Sequence, residues 1–292
     1  MKVSRLTRSE LGLCAFCVVS LLVGWRALAD SLLLALHDDK YTHLLLILPV
    51  SIILLLREWP SLRPVVAPNV PLGSALLFVA VLISGGARAA SVSKDGYLFL
   101  TMCALVTSWI GAFVFWFGNS ASRQVRFPLC FLFGLVPIPR VALDQIISLL
   151  QLGSAWAAHA LFVIVGVPVD QSGVFLTIPG LTLQVAQECS SIRSSSMLLV
   201  TTIVLAQLLL RSPRQKALVI LFAIPLSIAK NGLRICTIAL LGTRVDPGYL
   251  TGRFHHQGGI VFFAIALLCI FGLLWLLRRG EGAPRASTSV QG

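Results

Sequence analysis

Charge is what this sequence most lacks. Asp, Glu, Lys and Arg make up 12% of its 292 residues, where a soluble domain carries roughly 25%. The deficit runs along the chain, because long apolar runs recur from Leu11 to Leu277, and no stretch is left for a second, soluble domain. Acidic residues are the scarcer kind, 11 against 23 basic, for a formal net charge of +12. On a soluble protein that surplus would suggest nucleic acid. Here the basic residues cluster in loops between apolar runs, so topology explains them and no nucleic-acid partner is implied. Familiar hydrolase motifs are missing as well. There is no G-x-S-x-G elbow and no H-E-x-x-H helix, so serine-hydrolase and zinc-protease readings lack their signatures. The seven cysteines are odd in number and show no zinc-type spacing, which indicates neither a disulfide framework nor a metal cluster. Nothing calls for a cofactor. No internal repeat is evident, and the small polar C-terminal tail is the only low-complexity stretch.

What the chain does have is membrane-length apolar sequence. A helix needs about 20 apolar residues to cross the hydrocarbon core. The candidate spans are Leu11–Ala29, Thr42–Leu56, Val70–Gly86, Tyr97–Gly118, Leu143–Gly166, Ser194–Leu210, Ala217–Gly242 and Gly259–Leu277. Lys2, Arg5 and Arg8 precede the first as they would a signal peptide, but the run continues for a full span and no small-residue cleavage site stands out, so it reads as retained. Phe127–Pro139 is too short to span and is ended by Pro137 and Pro139; it is expected to be half-inserted or interfacial. The expected fold is all-α, a polytopic transmembrane helical bundle of about eight spans. Residues 1–280 form the transmembrane domain and 281–292 a polar cytoplasmic tail.

Loop charge sets the orientation. With the N-terminus cytoplasmic, the inside loops hold Lys2, Arg5, Arg8, Arg57, Arg63, Arg123, Arg126, Arg211, Arg214, Lys216, Arg278, Arg279 and Arg285. The outside loops hold Lys40, Arg88, Lys94, Arg244 and Arg253. Thirteen against five is a clear positive-inside bias, and it puts both termini in the cytoplasm. Val167–Arg193 then lies outside. Its stretch GVFLTIPGLTLQVAQE alternates apolar and polar residues around Pro179-Gly180, which predicts a short extracytoplasmic β-hairpin lying like a lip over the outer surface.

Polar groups at membrane depth are costly and therefore functional candidates. Six of the cysteines lie in apolar segments, where cysteine acts as a small hydrophobe; Cys189 alone sits among polar neighbours, just ahead of the sixth span. A thiol at a helix N-terminus near a cation, here Arg193, is activated as a nucleophile. Arg234 lies inside the seventh span, roughly 12 Å from its outer end at 1.5 Å per residue, where it can stabilise an oxyanion. His255 and His256 precede the eighth span and suit general acid–base work. Each has a plainer reading: an inert interfacial cysteine, a structural ion pair, a solvated histidine pair. With the distant His43 the two histidines form no recognisable metal-ligand spacing. Taken together the three are stronger, because charge counting puts all of them in one leaflet on three consecutive spans. A cysteine, a histidine and an oxyanion donor are the minimum set for covalent acyl transfer.

These motifs resemble those of the exosortase/archaeosortase family of membrane transpeptidases. Glu188-Cys189-Ser190-Ser191-Ile192-Arg193-Ser194 is similar to the family's cysteine motif, A-C-S-G-I-R-S, with Ser191 in place of Gly. Ile224-Pro225-Leu226 with Asn231-Gly232-Leu233-Arg234-Ile235 is similar to its arginine helix, and Phe254-His255 followed by Gly259 to its F-H-x-x-x-G stretch. Tyr41-Thr42-His43 is similar to an early Y-S-H-G segment, with Leu44 for Gly, and His256-Gln257 replaces an acidic–apolar pair. The accessory C-terminal domain of some members is not seen.

The resemblance implies catalytic roles for Cys189, Arg234 and His255, the histidine aligned by Phe254. Glu188, Arg193, Asn231, His43 and His256 are implied in support or substrate binding. It also implies a substrate class: secreted proteins with a C-terminal sorting signal made of a Pro-Glu-Pro-like motif, a transmembrane helix and a basic cluster. Two other classes compete. One is a transporter or lipid-handling protein in which Arg234 and Lys230 bind an anionic head group of a membrane lipid; the other is a non-catalytic assembly factor. Oligomeric state is not legible in the sequence.

The topology is testable. With the native cysteines replaced, Gln171→Cys is expected to react with an impermeant thiol reagent in intact spheroplasts. Protection until the membrane is opened would reverse the orientation.

Overall fold

The computed structural model of the protein describes residues 7–62, 65–185, 192–251 and 259–282. Among them eight helical segments are long and apolar enough to cross a membrane, one for each candidate run. The helices are α1 (Arg8–His37), α2 (Leu44–Leu62), α3 (Val70–Ala89), α4 (Lys94–Gln124), the short α5 (Arg126–Phe131), α6 (Arg140–Ile164), α7 (Ile192–Leu209), α8 (Pro213–Arg244), the four-residue α9 (Gly248–Thr251) and α10 (Gly259–Gly282). The protein is therefore an all-α polytopic bundle with a small antiparallel sheet. The chain divides into two compact units, Met1–Leu143 and Asp144–Gly292.

In the first unit the helices outrun their apolar sequences, because caps and side-chain bonds extend them. Thr7 and Glu10 form a capping box ahead of α1, which satisfies two otherwise orphaned N–H groups. Glu10 is also buried, and its Oε1 accepts a 3.1 Å hydrogen bond from Trp59 Nε1 of α2. Above this tie the core joins Leu13 of α1, Leu62 of α2, Phe113 and Phe117 of α4 and Leu129 of α5. Helices α3 and α4 approach backbone to backbone: a Cβ on Gly73 would stand 2.5 Å from Phe115 Cα. Close approach at small residues is how helices pack where lipid offers no hydrophobic drive to associate. The Phe127–Pro139 stretch forms α5 and a 3-10 turn, Leu132–Leu135, both against α2. Its helical part is shorter than a span, but the stretch runs along α2 past Ile47 to Tyr41, whose Oη donates 2.9 Å to Ile138 O at the proline end.

The second unit holds the sheet. Strands β1 (Asp170–Ser172), β2 (Phe175–Ile178) and β3 (Leu181–Gln184) pair antiparallel in that order. The expected hairpin is β2–β3, with Ile178 opposite Leu181. Its Pro179-Gly180 turn has φ +82° at Gly180, a conformation that type II turns reserve for glycine. Strand β1 is an addition. Its Asp-Gln-Ser sequence carries no apolar alternation, so the pattern gave no sign of it. Leu176 and Ile178 turn inward onto Ala155, Ala158 and Phe162 of α6 and Cys236 and Ala239 of α8. Helices α7, α8 and α10 pack together around Leu198, Ala223 and Ile270, so three consecutive spans are indeed neighbours.

Helix α4 breaks at Gly118, where the sequence pattern ends its span. Gly118 has φ +79°, and a Cβ there would stand 1.6 Å from Ala67 O, while Ala67 N donates to Phe117 O at 3.2 Å. Gly118→Ala adds both backbone strain, about 1–3 kcal/mol in a positive-φ, extended-ψ region that is essentially glycine's alone, and a backbone clash. A fall of several degrees in the thermal midpoint of the detergent-purified protein is expected. Gly85→Ala is the control, since nothing lies within 4 Å of its added Cβ; equal midpoints for the two variants would contradict this account.

Candidate active site

Helix α8 carries polar residues along one stripe: Ser227, Lys230, Asn231 and Arg234. Their spacing is i, i+3, i+4, i+7, which brings them onto one helical face. Ser227, Lys230 and Asn231 are buried, at 5%, 6% and 1% exposure, while Arg234 is half-buried. The stripe meets the first turn of α7. Ser227 Oγ donates 2.6 Å to Ser195 Oγ, a buried pair, and Lys230 Nζ donates to Ser194 Oγ. An ammonium at the centre of a membrane helix costs about 2.5–3.5 kcal/mol on insertion scales. With two cations on one face of one span, the seam is a feature that membrane insertion alone selects against.

The opposite side of α8 explains the glycine in Asn231-Gly232-Leu233-Arg234. A Cβ on Gly232 would lie 2.6 Å from Ala157 Cβ and 2.9 Å from Ala158 N, so α6 and α8 touch through backbone there. Gly232 thus fixes how α8 is seated, and with it the direction of the polar stripe. A second tie links α6 to the sheet: Gln151 Nε2 donates 3.0 Å to Val185 O, and the bond is buried. Val185 N in turn donates 2.9 Å to Val174 O.

The sequence-predicted residues fall into three groups. Asn231 and Arg234 share the stripe, and Arg193 stands exposed in the first turn of α7. His43, half-buried, lies just ahead of α2 and belongs to the first unit, whereas Arg193, Asn231 and Arg234 belong to the second. Glu188, Cys189, His255 and His256 lie outside the described residues. In sequence, Cys189 follows Val185 by four residues and precedes Ile192, the first residue of α7, by three. Sequence reasoning did not single out Ser195 and Ser227. Ser227 had a legible signal, since it falls seven residues before Arg234 on the face that already held Asn231.

The sequence profile of the transmembrane exosortases (Exosortase_EpsH) matches residues 25–272. The chain belongs to the transmembrane exosortase family. No curated protein and no solved structure matches it. The match runs from α1 into α10, so it takes in most of both units of this exosortase-family chain, with the whole of the sheet and the polar seam. With eight apolar helices among its described residues, the chain is a multi-pass membrane protein.

The Ser195–Ser227 bond can be checked without an assay of function. Truncating either serine to Ala leaves the other hydroxyl buried and unsatisfied, at a cost of about 1–3 kcal/mol, whereas removing both is nearly neutral. A double-mutant cycle on thermal midpoints is expected to show the double variant more stable than either single one. Additive losses would mean the two hydroxyls are not coupled.

Proposed function

We propose that the protein is a membrane cysteine peptidase/transpeptidase of the exosortase type. It cleaves the C-terminal sorting signal of secreted proteins through a thioester at Cys189, for surface anchoring or export. In this reading it resides in the cell inner membrane with both termini cytoplasmic, and it works at the extracytoplasmic face. The observation that carries the proposal is the polar seam, built on α8 against the turn of α7 that follows the cysteine motif. Family membership supports it, and so does chain length. Four residues reach at most about 14 Å, which tethers Cys189 to the sheet end held by Gln151, and three tether it to the start of α7.

The roles follow from the chemistry. The Cys189 thiol gives its proton to the His255 imidazole and attacks the scissile carbonyl. Negative charge develops on the carbonyl oxygen, and Arg234 meets it with a planar fork of donors. As the tetrahedral intermediate collapses to the thioester, the C–N bond breaks and His255 returns the proton to the departing amine. An acceptor nucleophile, or water, then attacks the thioester and frees the thiol. The substrate's own transmembrane helix lies against the bundle and holds the cleavage motif near the site, which supplies the proximity that acyl transfer needs.

The Ser194–Lys230 contact favours one second reading, in which Ser194 is the nucleophile and Lys230 its base. Serine–lysine pairs do perform acyl transfer on other folds. Co-expression with a secreted reporter ending in a Pro-Glu-Pro-type motif, a hydrophobic helix and a basic cluster separates the two. Cys189→Ala is expected to abolish the size shift of the reporter, Ser194→Ala to leave it largely intact, and Arg234→Lys to slow it about 10²-fold, as loss of an oxyanion donor does. The reverse outcome for Cys189 and Ser194 would establish the serine–lysine reading. Processing that survives both substitutions would rule out either peptidase.

A further inference from the structure

The first unit carries a groove that the peptidase chemistry does not use. A cavity of about 1060 Å³ opens between the C-terminal half of α1, the C-terminal end of α3 and the start of α4, and Arg26, Asp30, Arg88, Lys94 and Asp95 line it. It shares Val23, Gly24, Arg88 and Thr101 with a second cavity of about 310 Å³. That second space runs down the same three helices between Phe16, Leu77, Val81 and Leu105, with Ser84 beside them. The two form one continuous amphipathic groove, charged at its mouth and apolar along its length.

We propose that this groove binds one anionic phospholipid of the surrounding leaflet. Its phosphate sits among Arg26, Arg88 and Lys94, and one acyl chain lies in the apolar slot between α1, α3 and α4.

Three observations carry this. The first is charge. Among the described residues, no carboxylate pairs with Arg26, Arg88 or Lys94, and Asp95 is engaged by Arg140, Nε to Oδ2 at 3.3 Å. The mouth therefore presents three cations against Asp30. Arg88 and Lys94 also belong to the basic-poor set of loops, five cations against thirteen, so retention of positive charge on the cytoplasmic side does not account for them.

The second is depth. From Lys94 to Ser108 α4 covers roughly 20 Å at 1.5 Å per residue, and from Phe16 to Asp30 α1 covers the same. Half a bilayer with its head groups is about 20–22 Å thick. The groove is one leaflet deep, which suits a lipid and exceeds any small soluble anion. The third is the pair of aromatics at the mouth. Trp25 and Tyr97 are 58% and 42% exposed beside the basic cluster, and exposed Trp and Tyr on a membrane helix mark the head-group level. The cations thus stand at the height where lipid phosphates lie.

Native mass spectrometry of the full-length protein tests the proposal. The detergent-purified chain is titrated with phosphatidylglycerol and, separately, with phosphatidylcholine of the same acyl chains. One phosphatidylglycerol is expected to be retained at least about tenfold more tightly than phosphatidylcholine, since each cation near an anionic lipid contributes about fivefold. Arg26→Gln, Arg88→Gln and Lys94→Gln together should erase that preference, while Ser84→Phe should weaken both lipids by filling the slot. Glycerol 3-phosphate, the head group without chains, should fail to displace the bound lipid. Equal retention of the two lipids by the wild-type protein overturns the proposal and needs no variant to read. An unchanged preference in the triple variant also overturns it, as does displacement by glycerol 3-phosphate at lipid-like concentrations, which would mark a plain anion site.

Discussion

Lys230 donates to Ser194 across the α7–α8 contact, and much of the second unit is arranged around the need for that bond. An ammonium cannot be left unsolvated in hydrocarbon, and the span that carries it must find donors and acceptors within the protein. The beginning of α7 supplies hydroxyls, two of them on successive residues. Ser195 and Ser227 then close the same seam one turn earlier on α8. Small residues make the arrangement possible on the other side, where Gly232 lets α6 come against the α8 backbone. A larger residue at that position would rotate or displace α8 and carry Lys230, Asn231 and Arg234 with it.

The sheet extends this logic toward the cysteine motif. Alternate residues of β2 are buried against α6 and α8, and Gln151 caps the strand end through Val185 O. A glutamine inside a membrane helix is expensive for the same reason as the lysine, and a buried backbone carbonyl left unpaired is expensive too. Each satisfies the other. The result is a fixed point on the chain four residues before Cys189 and another, the start of α7, three residues after it. The proposed nucleophile is thus separated from each fixed point by no more than four residues of sequence.

The first unit has a different composition of contacts. Its helices are held by close backbone approach at Gly73, by the contact of Gly118 with the α2–α3 connection, and by the half-buried Glu10–Trp59 bond. Its charged residues, by contrast, line a groove instead of a sealed seam. A closed polar network and an open amphipathic groove are two solutions to the same cost. In one a hydroxyl of the protein accepts from the buried ammonium; in the other the proposed lipid supplies the counter-charge.

Much of this was legible in the amino-acid sequence. Apolar run length set the number of spans, because crossing hydrocarbon imposes a minimum length. Pro179-Gly180 set the hairpin, because its turn demands a glycine with positive φ. Arg234 stood out as a candidate by its depth alone. Other features depend on partners far away in the chain and left no local trace. Strand β1 exists because Gln171 pairs with Leu176, not because Asp-Gln-Ser favours a strand. Glu10 reads as a capping residue, yet its second partner, Trp59, lies on another helix. Nothing near Ser195 points to Ser227, thirty-two residues later, nor does Gly232 name Ala157. Periodicity and hydropathy are properties of one element, so sequence determined which segments enter the membrane and which residues are costly there. Which of those costs are met by which neighbour is a property of helix packing, and only the tertiary structure decided it.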